Sequence, residues 1–185
     1  MMRKSVYLSL FVICTVFFSQ ALGLAQGDQQ FSAKAQERIT KEVRHQILML
    51  PYFGTFDNIA FQLNGYDVTL LGQVTKPTMK TDAERAVKGV EGVEKVDNRI
   101  EVLPASPGDD RLRRQLFNAI YHFGPLQRYG VGANRPIRII VNRGRVTLVG
   151  VVDREADKNM AGMQANSVPG VLSVQNDLMV PPKGK

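Results

Sequence analysis

Two phrases that recur at one fixed separation constrain this chain more than its composition does. The stretch NGYDVTLLGQV at 64–74 returns as NRGRVTLVGVV at 142–152, 78 residues later. GVEKVDN at 92–98 returns as GVLSVQN at 170–176, again 78 residues on. Separate phrases held in one register point to a duplicated folding unit. A chain built this way is expected to fold as two small related cores.

The start of the chain stands outside that repeat. Arg3 and Lys4 are followed by an apolar run from Val6 to Phe18, then by small residues in Ala21-Leu22-Gly23 and Gly23-Leu24-Ala25. Charged start, apolar centre and small-residue exit form the pattern of a secretory signal. The run is shorter than the roughly 20 residues of a membrane span. We read residues 1–25 as a signal peptide cleaved after Gly23 or Ala25, which implies a periplasmic or secreted protein; the alternative is an uncleaved anchor. Cys14, the only cysteine, lies in this run behind Ile13, where a lipidation signal needs a small residue. The mature chain therefore makes no disulfide and has no cysteine ligand or nucleophile.

About 160 residues remain, enough for one medium domain or two small ones, and the repeat decides for two. We place the units at 31–104 and 109–182. Each is near the lower size limit for an independent core, so the pair is expected to pack together or stay close.

Each unit opens with a helix. Ile39, Val43, Ile47 and Leu50 share one helical stripe, and Leu112, Leu116, Ile120 and Phe123 repeat its spacing. Pro107-Gly108 breaks the chain before the second helix, and Asp109 or Asp110 is expected to cap it. The helices are offset by 73 residues and the later phrases by 78, so the second unit carries five extra residues between helix and first strand. Gly130 and Gly132 in that stretch read as loop rather than phosphate cradle, since no strand leads in and no Lys-Ser pair follows. Next comes a hairpin, Ala60–Leu63 and Val68–Gly72 around Asn64-Gly65, with its twin at 137–149. Gly72 and Gly150 read as sites of close backbone approach or a bulge. A helix over 82–90 or 155–165 and a strand over 96–103 or 174–180 complete each unit. The expected class is α+β, two tandem helix-strand-strand-helix-strand modules, each with two helices covering a three-stranded mixed sheet.

This pattern resembles the BON domain, a small module of exported bacterial proteins. The residues that carry the likeness are Val68-Thr69-Leu70-Leu71-Gly72 with Gly92-Val93 to Val102, and Gly144 to Gly150 with Gly170-Val171 to Val180. The first copy departs in having Tyr66 where the second has Gly144, so Gly65 would supply the turn. The resemblance implies binding rather than catalysis: attachment to phospholipid membranes and support of envelope integrity or osmotic-shock tolerance, with other envelope components as the ligand of some members. A shared fold alone does not transfer function.

Charge separates the copies. Residues 31–103 hold 10 Lys+Arg and 10 Asp+Glu, while residues 109–185 hold 12 and 6, a balance of +6. With Leu112 at zero and about 100° per residue, the core stripe spans roughly 0–80°, and Arg113, Phe117, Tyr121 and Arg114 fall near 100°, 140°, 180° and 200°. Rings between arginines are what an interfacial helix offers to headgroups. The expected lipid-binding residues are therefore Arg111, Arg113, Arg114, Phe117 and Tyr121; the alternative for the rings is burial against the partner unit or a loop. Arg135, Arg138, Arg143 and Arg145 extend the basic surface, whereas the first helix shows Glu37, Lys41, Arg44 and Leu48 without a ring.

Little recommends an enzyme. His45 and His122 lie in different units and read as surface groups, no metal pair or nucleophile elbow is present, and Asp57, Asp153 and Asp157 are scattered, with Asp57-Asn58 suited to a turn or strand entry. No cofactor and no metal are expected. The expected partner is an anionic phospholipid surface, contacted peripherally, with envelope proteins as a further partner and nucleic acid excluded by export. The rival is a structural interaction protein that binds another envelope protein or a glycan.

Overall fold

The computed structural model describes residues 21–132 and 135–182, with side chains described from Ala33 onward. Residues 1–20 of the expected signal segment lie outside the described residues. In chain order the elements are α1 (Ala21–Leu48), β1 (Asn58–Asn64), β2 (Asp67–Val74), α2 (Pro77–Lys88), β3 (Lys95–Asn98) and β4 (Glu101–Val102). The second unit follows with α3 (Pro107–Tyr121), a 3-10 helix (Gly124–Gly130), β5 (Ile137–Asn142), β6 (Arg145–Val151), α4 (Glu155–Asn166) and β7 (Ser173–Met179).

The order of elements is that of the expected α+β modules. β1 runs antiparallel to β2, and β3 and β4 lie parallel to β2 on its other side. β5, β6 and β7 repeat the arrangement with the same pairing. Parallel neighbours need a crossover, which α2 and α4 supply. Val68, Leu70 and Val74 on β2 point into one core with Ile39, Val43, Ile47, Ala83 and Val87. Val146 and Leu148 point into a second with Leu112, Leu116, Ile120, Ala161 and Ala165.

The final strand of the first unit is shorter than its apolar pattern suggests. It is broken between Asn98 and Glu101, and the Asn98 side chain accepts the Ile100 N–H at 3.2 Å through Oδ1 and donates from Nδ2 to the Lys80 carbonyl of α2 at 2.8 Å. Asn176 repeats both bonds, to Leu178 N–H at 3.4 Å and Lys158 carbonyl at 2.8 Å. The asparagine of the repeated phrase thus ties last strand to second helix in each copy.

Two boundaries differ from the sequence expectation. α2 starts at Pro77, where a fixed φ and absent N–H suit the first helical turn. α3 is capped by Ser106, whose hydroxyl accepts the Asp109 N–H at 3.2 Å. Asp109 faces the β5–β6 turn instead and accepts the N–H groups of Arg143 and Gly144. Gly72 and Gly150 fulfil the close-approach expectation: both have positive φ, and a Cβ there would collide with the carbonyls of Asn58 and Pro136.

The units meet through the segment between α1 and β1. The Ile139 N–H of β5 donates to the Thr55 carbonyl at 2.8 Å. Phe56 packs on the second core, and Leu103 and Ile140 are buried along a crevice lined from both sheets.

Candidate functional site

The α3 face comes first. Arg111 and Arg114 are exposed. Arg113 is not: it is 5% exposed, and its guanidinium donates to the Val141 carbonyl at 2.8 Å and to Asp110 at 2.5 Å. Tyr121 is 3% exposed and its hydroxyl donates to the Ile137 carbonyl at 2.5 Å. Burial pushes that hydroxyl up to about 12, against the pull of Arg135 and Arg138. Phe117 is half-buried, edge-on to Phe56 of the first unit at 6.3 Å and 4.9 Å from the Tyr121 ring. The expected single exposed face of five residues is therefore corrected: two arginines remain open, and Arg113, Phe117 and Tyr121 are packed. A helical wheel treats α3 as a bare cylinder. The five extra residues after it build the 3-10 helix, whose Leu126 and Tyr129 are buried and whose Gly130 lies against Tyr121. Arg135 follows, its guanidinium 5.3 Å above the Phe117 ring.

Arg113 and Tyr121 close something specific. Ile137, Ile139 and Val141 turn their backbone groups outward from the β5 edge, and one group on each is met: the Ile137 carbonyl by Tyr121, the Ile139 N–H by Thr55 and the Val141 carbonyl by Arg113. A covered edge cannot recruit another strand. β1 has the same register to β2, with Ile59, Phe61 and Leu63 opposite Gly72, Leu70 and Val68, so these three turn their backbone groups outward too. Among the described residues, no group meets them. The 73-residue offset that carries Ile39 to Leu112 carries Thr40 to Arg113 and Leu48 to Tyr121, and neither Thr40 nor Leu48 reaches across.

A groove of about 750 Å³ runs along this open edge. Ile47 and Leu48 of α1 form one wall, Ile59, Phe61 and Leu63 the floor, and Val149 and Val151 of the second unit the far side. Its charges are Arg44, Arg135 and Arg138, with no carboxylate in the lining among the described residues. Arg138 stacks 4.4 Å over Phe53 and donates to the Gly54 carbonyl at 2.7 Å, which fixes it at the seam. Arg135 donates to the Gly130 carbonyl at 3.2 Å. Sequence reasoning placed Arg44 on the first helix and Arg135 and Arg138 on the hairpin, but did not bring them together. The signal that could have done so is the loss of Arg and Tyr at positions 40 and 48.

Comparison with known proteins fits this architecture. The family model of the BON domain matches residues 35–104 and 128–182. The chain belongs to the BON-domain family. Osmotically-inducible protein Y of Escherichia coli (strain K12) is 32% identical over 117 residues, covering 60% of this chain and 56% of that protein. The chain thus spans little more than half the length of the curated relative it matches. Solved structures of CdsD, a structural protein of the type III secretion system of Chlamydia trachomatis, and of its C-terminal domain are similar at 12% and 14% identity with a TM-score of 0.32. They cover 78% and 77% of this chain, and 92% and 96% of their own.

The second BON match begins at 128, so α3 lies outside it. The buried acids of the two BON units each hold backbone or a neighbouring side chain. Asp57 accepts from Gly54 N–H, Thr75 N–H and the Thr75 hydroxyl, at 3.2, 2.7 and 2.9 Å. Asp157 accepts from the Tyr129 hydroxyl at 2.9 Å and pairs with Arg128. Both histidines are exposed, and no group of three or more metal-binding side chains occurs among the described residues.

Proposed function

We propose that this protein is a non-catalytic binding protein of the cell envelope that contributes to osmotic-stress tolerance, and that its main contacts are with polypeptide. The signal-like segment at 1–25 supports export. Membership of the BON family and similarity to an osmotically inducible protein support the envelope and stress roles. Acids engaged in structural hydrogen bonds support binding over chemistry.

One observation carries the choice of polypeptide. Of the groups that would anchor a helix in headgroups, Tyr121 and Arg113 are used to cover β5 and Phe117 is packed beside Phe56, while the matching edge in the first unit is open beside an apolar, cation-lined groove. An anionic lipid surface is the second reading. The +6 balance of residues 109–185 and the exposed Arg111 and Arg114 favour it, with Arg113, Phe117 and Tyr121 then acting through support of the helix rather than by insertion.

Flotation with phosphatidylglycerol and phosphatidylcholine vesicles separates the two. The polypeptide reading expects no preference for anionic vesicles at an ionic strength of about 0.15 M, where exposed charges are screened beyond about 8 Å. It also expects envelope-protein adducts in crosslinking that form without vesicles. Retention that requires phosphatidylglycerol, falls with salt and is lost on Arg111→Glu with Arg114→Glu would put lipid in place of polypeptide.

A further inference from the structure

We infer that the open β1 edge accepts an extended polypeptide strand as a fourth member of the first sheet, one that alternates apolar side chains with carboxylates. This rests on the polypeptide reading above and adds the mode and chemistry of contact. The two copies supply a built-in comparison. In the second unit a phenol, a guanidinium and the Thr55 carbonyl each take one outward group of the edge strand, which interrupts the row another strand would need. In the first unit the same backbone row is unmet among the described residues, where position 40 is threonine and position 48 is leucine. Main-chain hydrogen bonds to such an edge supply affinity, and pockets for alternate side chains supply selection.

The side-chain chemistry of the occupant follows from the lining. Ile59, Phe61 and Leu63 are only partly buried, although they point to the helix side of the sheet. Leu48 beside them is 40% exposed. An added strand would continue this row with its own apolar residues. Arg44 is exposed and, with Arg135 and Arg138, makes no carboxylate pair among the described residues. Three cations around a groove without an acid favour carboxylates on the incoming strand. They also disfavour a second copy of the chain, which would bring its own Arg44 toward the first across a paired β1 edge.

The test uses the chain and a fluorescent peptide of alternating valine and glutamate. Binding is read by anisotropy, and the site by hydrogen exchange of the Phe61 and Leu63 amides. Binding should protect those amides. It should weaken at least about tenfold when alternate peptide amides are methylated, when glutamate is replaced by lysine, or when exposed Arg44 becomes Glu. Thr40→Arg with Leu48→Tyr, which copies the closure of the second unit, should abolish binding while leaving thermal stability equal or higher.

Equal binding of the methylated peptide would overturn strand addition. So would peptide binding that leaves Phe61 and Leu63 unprotected, although the polypeptide reading would then survive. Protection that appears without peptide and grows with protein concentration would assign the edge to a second copy and overturn the proposal. Protection by phosphatidylglycerol vesicles but not by peptide would overturn both.

Discussion

The carboxylate of Asp109 in α3 accepts the backbone N–H groups of Arg143 and Gly144 at 2.8 and 2.9 Å. Both donors belong to a turn in which Arg143 has φ 52° and Gly144 φ 78°. A non-glycine residue in that region costs of order 1 kcal/mol, and the buried acid offsets it. Asp109→Ala leaves two turn donors without a partner and is expected to destabilise the second unit by about 2–3 kcal/mol. Arg143→Gly in that background removes the side-chain penalty and should return up to about 1 kcal/mol. Urea denaturation of the two variants and the parent measures both effects.

Asn98 and Asn176 make the same test possible twice in one chain. Each donates to a carbonyl of the preceding helix and accepts from the residue two further on. Replacement of either by Ala should cost about 1–2 kcal/mol. Asn98→Asp should cost more than Asn98→Ala, because its second oxygen would face the Lys80 carbonyl and the Glu84 carboxylate that Nδ2 now touches. Equal losses for the two Asn98 variants in thermal denaturation would refute that explanation.

The fold was legible because its determinants are local and doubled. Apolar stripes at helical spacing, alternating hairpins and Gly72 with Gly150 occur twice at fixed separation, and chance does not repeat a register. What the sequence hid was long-range use of polar side chains. Asp109 looks like a helix cap beside Pro107-Gly108, yet Ser106 takes that role and frees the acid for a turn 34 residues away. Arg113 and Tyr121 look like an amphipathic surface because a wheel shows neither the folded-back 3-10 helix nor the β5 edge. The groove was less legible still, since Arg44 and Arg138 converge only when two units pack.

Glycine tolerance should divide by space rather than by φ alone. Gly150 has φ 135° and a Cβ there would collide with the Pro136 carbonyl, a backbone atom that cannot rotate away. Gly132 has φ 89° but open space around it. Gly132→Ala should therefore cost about 1–2 kcal/mol, the conformational penalty, while Gly150→Ala should cost at least about 3 kcal/mol and lower the yield of folded protein. Gly72→Ala should behave like Gly150→Ala, since the Asn58 carbonyl occupies the same position in its unit. Similar unfolding midpoints for Gly132→Ala and Gly150→Ala would remove the close-approach explanation.

Tyr121 ties stability to alkaline pH. Burial raises its hydroxyl from the ordinary value of 10.0 to about 12, so the fold favours the neutral phenol. The sign follows from linkage: the contribution is complete below about pH 10, where the unfolded chain also carries a neutral phenol, and is lost as pH rises from about 10 through about 12. Two pH units bound that contribution at roughly 3 kcal/mol. Tyr121→Phe removes the titrating group and the bond to the Ile137 carbonyl together, so at about pH 8 the variant should be less stable by about 1–2 kcal/mol. Between about pH 8 and about pH 11 it should then lose less stability than the parent, since neither state has a phenol to ionise at this position. Other tyrosines titrate equally in both proteins and cancel in the difference. Urea midpoints at the two pH values give the comparison, and tyrosinate absorbance of the folded parent should show one fewer early-titrating phenol than that of the folded variant once the phenol lost by substitution is counted as titrating early. A parent and variant that lose equal stability across this range would show that folding does not raise the Tyr121 hydroxyl.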